Sequence, residues 1–120
     1  MARVVAVFDD LLLGSNVLGA LRAAGHDATL TGGAGVQPDG ADVLVIDLAA
    51  GTFDGVGVVE SLTSAGVLGG TRTLGVYSHV DVDTRNRAEA AGFDLVVPRS
   101  RMARECAQLV ERLAGGTTSF

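Results

Sequence analysis

Residues 42–55 read Asp42-Val43-Leu44-Val45-Ile46-Asp47-Leu48-Ala49-Ala50-Gly51-Thr52-Phe53-Asp54-Gly55, and the first six decide the architecture. Val43 to Ile46 is an unbroken apolar run rich in β-branched residues. A strand with one wet face would alternate, so this run predicts a strand covered on both sides, the signature of a parallel sheet. It stops on Asp47. Working outward, Val4-Val5-Ala6-Val7-Phe8 is a second such run that stops on Asp9-Asp10, and Leu74-Gly75-Val76-Tyr77 stops on Ser78-His79. Leu95-Val96-Val97, ended by Pro98, and the weaker Ala28-Thr29-Leu30-Thr31 complete five predicted strands.

The intervals have helical character. Leu13 to Ala24 places Val17, Leu18 and Leu21 at helical spacing, with Gly25 as its stop. Gly55 to Ala65 turns Val58, Val59 and Leu62 inward. Asp83 is the expected cap of a short helix running to Ala91, and Ser100 that of a last helix with Met102, Cys106, Leu109, Val110 and Leu113 on its apolar face. Gly32 to Asp42 is too rich in glycine for more than a loop or one helical turn, so one helix is shortened or missing. Strands alternating with helices imply βαβ units, a doubly wound α/β domain over residues 1–114 and a frayed tail over 115–120.

The 120 residues carry nine basic and fourteen acidic side chains, a net charge of −5, and 48% are hydrophobic. That is enough for one domain with its own core, and an appended DNA-binding module is not expected. All nine bases are arginines. The first sixty residues hold two arginines against eight acids, the last sixty seven against six. This acidity argues against nucleic acid held mainly by phosphate contacts. Cys106 is the sole cysteine, expected as a small core residue, and His26 is expected in a solvated turn. Together with the absence of a signal sequence or apolar span, this predicts a cytoplasmic protein.

Asp9, Asp10, Asp47, Ser78 and Arg99 all fall at or just past carboxyl ends of strands, where open parallel sheets bind ligands. Three carboxylates gathered there repel one another. A hard divalent cation such as Mg²⁺, with oxygen ligands from Asp9, Asp10 and Asp47, is one remedy, and a raised pKa another. A carboxylate so placed is also a competent nucleophile toward phosphorus, with a hydroxyl and a guanidinium to contact phosphoryl oxygens.

In this order, the segments VVAVFDD (4–10), DVLVIDLAAGTFDG (42–55), TLGVYSH (73–79) and GFDLVVPRS (92–100) resemble the receiver domain of two-component response regulators, the CheY-like family. The resemblance covers nearly the whole chain. It implies a flavodoxin-like five-stranded sheet in the order 2-1-3-4-5. It also implies Asp9 and Asp10 as the metal-binding pair, Asp47 as phospho-acceptor and Asp54-Gly55 as the opening of the following helix. Ser78 and Arg99 match the conserved hydroxyl and lysine positions.

The function so implied is a stand-alone receiver in a phosphorelay. It would accept a phosphoryl group on Asp47 from a histidine kinase or phosphotransfer protein, with Mg²⁺, and signal through a downstream effector protein. Nucleic acid and membrane are not expected partners. The last two helices and the fifth strand are the surface such domains use for docking and for homodimers. Any catalysis would be confined to self-phosphorylation and autodephosphorylation at Asp47.

The departures support an alternative, a degenerate receiver acting as a phosphorylation-independent interaction module. Arginine stands where the family has lysine, a wide planar fork in place of a compact ammonium. Val96 replaces a switching aromatic, His79 follows Ser78 where a small residue is usual, and Ala50-Gly51 follows the acceptor in place of Met-Pro. A nucleotide- or flavin-binding domain is disfavoured, because no glycine fingerprint follows the first strand. Gly32-Gly33-Ala34-Gly35 leads into Pro38, not into a helix, and is read as a loop. Leu11-Leu12-Leu13 is expected to send at least one leucine under the first helix, with an exposed apolar lip as the competing reading.

Overall fold

A computed structural model describes residues 1–33, 36–38, 40–78 and 80–115. The Val43–Ile46 run and its relatives form the sheet: β1 (Arg3–Val7), β2 (Asp27–Thr31), β3 (Val43–Asp47), β4 (Arg72–Tyr77) and β5 (Leu95–Pro98). All pair in parallel, in the order β2-β1-β3-β4-β5. The helices are α1 (Leu11–Ala23), α2 (Gly55–Ala65), α3 (Val82–Ala90) and α4 (Arg99–Ala114). Among the described residues, the connection between β2 and β3 contains no helix, as its glycine content predicts.

The side-chain period of two divides the core. Val43 and Val45 join Val4, Ala6, Leu74 and Val76 under α1 and α4, where they meet Val17, Leu21, Met102, Cys106 and Leu109. Leu44 and Ile46 face the other way, toward Val56 and Val59 of α2, Ala88 of α3, and Phe93. All five residues of β3 are buried, and burying each of its larger apolar side chains is worth about 1.5–3 kcal/mol. No helix among the described residues is long and apolar enough to cross a membrane.

Three local expectations are corrected. The cap of α3 is Asp81, whose carboxylate accepts from the Thr84 N–H at 3.1 Å and its hydroxyl at 2.6 Å. Asp83 lies inside the first turn, where its charge still suits the helix dipole. The last helix begins at Arg99, with Pro98 at its N-cap and no side-chain cap bond, so Ser100 is already helical. His26 is not solvated. Its side chain is 6% exposed; Nδ1 accepts from the Ala2 N–H, and Nε2 lies 3.0 Å from Glu111 on α4. Gly25, at φ 90°, turns the chain so that the ring folds back toward Ala2.

Leu13 packs on the core beneath α1, as the first reading predicts, while Leu11 and Leu12 stay 73% and 75% exposed. Cys106 is buried among the apolar residues of α4. Of the glycine-rich loop, Ala34 and Gly35 lie outside the described residues, as do His79 and residues 116–120 of the expected tail.

Candidate functional site

Parallel pairing carries every strand's carboxyl end to one edge, and register aligns the polar residues there. Val7 pairs with Ile46, Asp47 with Val76, and Tyr77 with Pro98. Asp9 and Asp10 therefore emerge beside Asp47, and Ser78 beside Arg99. The entry to α2 closes in from behind. A Cβ on Gly55 would lie 2.7 Å from Ile46 Cγ2 and 2.9 Å from the Asp47 carbonyl oxygen, so only glycine lets the helix start this near β3.

Asp47 is fully buried. Its Oδ1 accepts the Ala49 N–H at 2.9 Å, and its Oδ2 lies 3.5 Å from an Arg99 terminal nitrogen. Burial pushes its carboxyl above the usual range, and the nearby Asp9 charge adds to this. The Ala49 N–H and the Arg99 guanidinium oppose the rise without cancelling it.

Asp10 caps α1, its Oδ1 accepting the Leu12 and Leu13 N–H groups at 3.0 and 3.1 Å. Its Oδ2 faces the other terminal nitrogen of Arg99 at 3.6 Å. The arginine thus spans two carboxylates on different elements. Its Nε–H is buried with no hydrogen-bond partner, so the side chain sits where the two acids place it and not where all its donors are satisfied.

Asp9 turns away from that pair. Its Oδ2 accepts from Gly51 N–H (2.9 Å), Thr52 N–H (3.1 Å) and the Thr52 hydroxyl (3.0 Å). Desolvation raises its carboxyl, but these donors outweigh it and hold the group below the usual range. Ser78 is half-buried just past β4, and its carbonyl oxygen accepts the Asp81 N–H at 2.8 Å. Asp54 lies outside this group, with Oδ2 3.3 Å from Arg87 on α3.

Asp9, Asp10, Asp47, Ser78 and Arg99 share one edge, as predicted from their places in the chain, but their pairing is not a magnesium ligand set. Both outward oxygens of Asp10 and Asp47 face Arg99, and Asp9 is tied to residues 51–52. Among the described residues, no three His, Cys, Asp or Glu side chains converge to hold a metal ion. Side chains in this arrangement do not fit Mg²⁺.

A shallow cavity of about 320 Å³ beside Arg99 is lined by Asp10, Leu12, Leu13 and Ser100, and Asp47 is not on its wall. Sequence reading missed Thr52 as the partner of Asp9. No local signal marks it, because the contact joins residues 43 apart.

No family model matches the chain, and no curated protein matches it. Solved structures do. The receiver domain of NarL from Mycobacterium tuberculosis superposes with a TM-score of 0.79 at 23% identity, over 97% of this chain and 98% of that one. The receiver domain of Francisella response regulator 1452 gives 0.80 at 16% identity, over 98% and 100%. The chemotaxis protein CheY4 of Vibrio cholerae gives 0.80 at 19%, over 94% and 98%. Five parallel strands in this order, with polar groups gathered at their carboxyl ends, give the chain the fold of a response-regulator receiver domain.

Proposed function

We propose that this chain is a degenerate receiver: a signalling module that works by docking a protein partner, with its acidic pocket held closed by Arg99 and not serving as a phosphoryl acceptor. The observation that carries this reading is the seat of the Arg99 guanidinium, 3.5 Å from a fully buried Asp47 and 3.6 Å from Asp10. A nucleophile must reach phosphorus in line, and Asp47 has no exposed surface from which to do so. Output then rests on the outer surface, where Leu11 and Leu12 stand exposed at the start of α1, and where α3, β5 and α4 form the other docking face.

A second reading keeps the phosphorelay. It is favoured by the position of Asp47 at the carboxyl end of β3, with Arg99 beside its Oδ2 and Ser78 on the neighbouring strand end. In that reading a histidine kinase or phosphotransfer protein would supply the phosphoryl group, and Arg99 and Ser78 would contact its oxygens.

One experiment separates the two. The protein is incubated with Mg²⁺ and either acetyl phosphate or beryllofluoride, and intact mass and amide spectra are followed. The expected result is no adduct of about 80 Da, the mass a phosphoryl group adds, and no amide shifts around Asp47. A wild-type adduct that disappears in Asp47→Ala establishes the phosphorelay reading instead.

A further inference from the structure

We propose that the Arg99 guanidinium is the built-in counter-cation of the acidic pocket: it occupies the space between Asp10 and Asp47 that a divalent ion would need, and so closes the wild-type chain to Mg²⁺. The inference deepens the degenerate-receiver reading and rests on it for its biological sense, but it concerns metal binding alone. Mg²⁺ binds oxygen at about 2.0–2.1 Å and demands near-octahedral geometry. The guanidinium, with terminal nitrogens 3.6 and 3.5 Å from the Oδ2 atoms of Asp10 and Asp47, already sets its positive charge against the two oxygens such an ion would need. Two cations cannot share the place.

Most of the remaining carboxylate oxygens already accept hydrogen bonds. Asp10 Oδ1 is taken by the Leu12 and Leu13 N–H groups, Asp47 Oδ1 by the Ala49 N–H, and Asp9 Oδ2 by the three donors of Gly51 and Thr52. The shape of the residue matters as much as its charge. A planar fork reaches two separate carboxylates at once, whereas an ammonium is a single compact charge. The unpartnered, buried Nε–H is the cost of that span.

The ion that Arg99 replaces should bind when Arg99 is removed. Mn²⁺ serves as the probe, read by paramagnetic loss of amide signals in the full chain, alongside thermal melts with and without Mg²⁺. Wild type is expected to keep its Asp10, Leu48 and Ala49 signals. Arg99→Ala is expected to lose them at the same Mn²⁺ concentration and to melt higher with Mg²⁺, because a ligand bound only by the folded state stabilises it. Asp47→Ala added to Arg99→Ala should restore the signals. Arg99→Met, which keeps the stem and its packing, gives the same readout if Arg99→Ala does not fold.

Wild-type signal loss at these amides overturns the inference, as does a folded Arg99→Ala or Arg99→Met that shows no more loss than wild type. A phosphoryl adduct on wild-type Asp47 would instead defeat the degenerate-receiver reading, and the Mn²⁺ result would still be read separately.

Discussion

At the amino end of the sheet, Asp42 and Asp94 each hold a backbone N–H of the neighbouring strand at 2.8 Å; at the carboxyl end, Asp10 and Asp47 face a guanidinium at 3.6 and 3.5 Å. The residue type is the same, and at both ends it holds backbone N–H groups, but only the carboxyl end sets one guanidinium against two acids. Asp42 receives Arg3 N–H, Asp94 receives the N–H and hydroxyl of Thr73, and the buried Thr71 hydroxyl donates to the Ala41 carbonyl at 2.7 Å. With His26 joining Ala2 to Glu111, that end is closed by short bonds that stitch strand starts together. The carboxyl end has short bonds of its own at Asp9, Asp10 and Asp47, and adds the longer Arg99 contacts, one orphaned donor and a carboxyl whose pKa burial has raised. The amino end is built from hydrogen bonds between strand starts, and the carboxyl end adds the charged group that a ligand would meet.

The largest expected effect lies at the closed end. Asp94→Ala would leave the Thr73 N–H of a buried strand residue without its acceptor and remove the 3.6 Å ion pair with Arg72. A loss of about 1–3 kcal/mol is expected in urea unfolding. A negligible loss would mean that the amino end is no more firmly stitched than the other.

Asp47→Asn is expected to act in the opposite direction and more weakly. Because burial raises the folded-state pKa of Asp47, the folded chain holds this proton more tightly than the unfolded chain does. The stability linked to that proton is fully present below the unfolded value near 3.9, and it is lost as pH rises through the raised folded value. Asparagine keeps an oxygen for the Ala49 N–H and carries no charge. The variant should therefore melt above wild type at neutral pH, and the two curves should converge toward pH 3. A variant less stable than wild type at neutral pH would show that the Arg99 pair outweighs the burial of Asp47.

The smallest effect is expected at the rim. Leu12→Asp, at a side chain 75% exposed, should change stability by no more than about 0.5 kcal/mol. A loss as large as that of Asp94→Ala would place Leu12 in the core and remove it from the docking surface.

Much of this was legible along the chain. Val43–Ile46 announces a doubly covered strand because no polar residue interrupts it, and α2 occupies the predicted residues 55–65 because Gly55 and Gly66 bracket its apolar spacing. Local pattern failed where two residues could play one part. Asp81 and Asp83 are both suitable caps, and only the path of the chain into α3 puts the Asp81 carboxylate on Thr84. His26 looked like a turn residue because Glu111, its partner, is 85 positions away.

Periodicity and residue type alone dictate the five strands, their parallel class, the thin connection after β2, and the gathering of Asp9, Asp10, Asp47, Ser78 and Arg99 at one edge. Those features follow from local backbone preference and from which faces must be buried, and both are written in consecutive residues. Which acid pairs with which base is not. That Arg99 spans Asp10 and Asp47, that Asp9 is drawn to Gly51 and Thr52, and that Asp47 is sealed from water depend on ångström-scale distances between segments far apart in the chain. Electrostatic and hydrogen-bond energies change steeply over such distances, so only the packed molecule decides them.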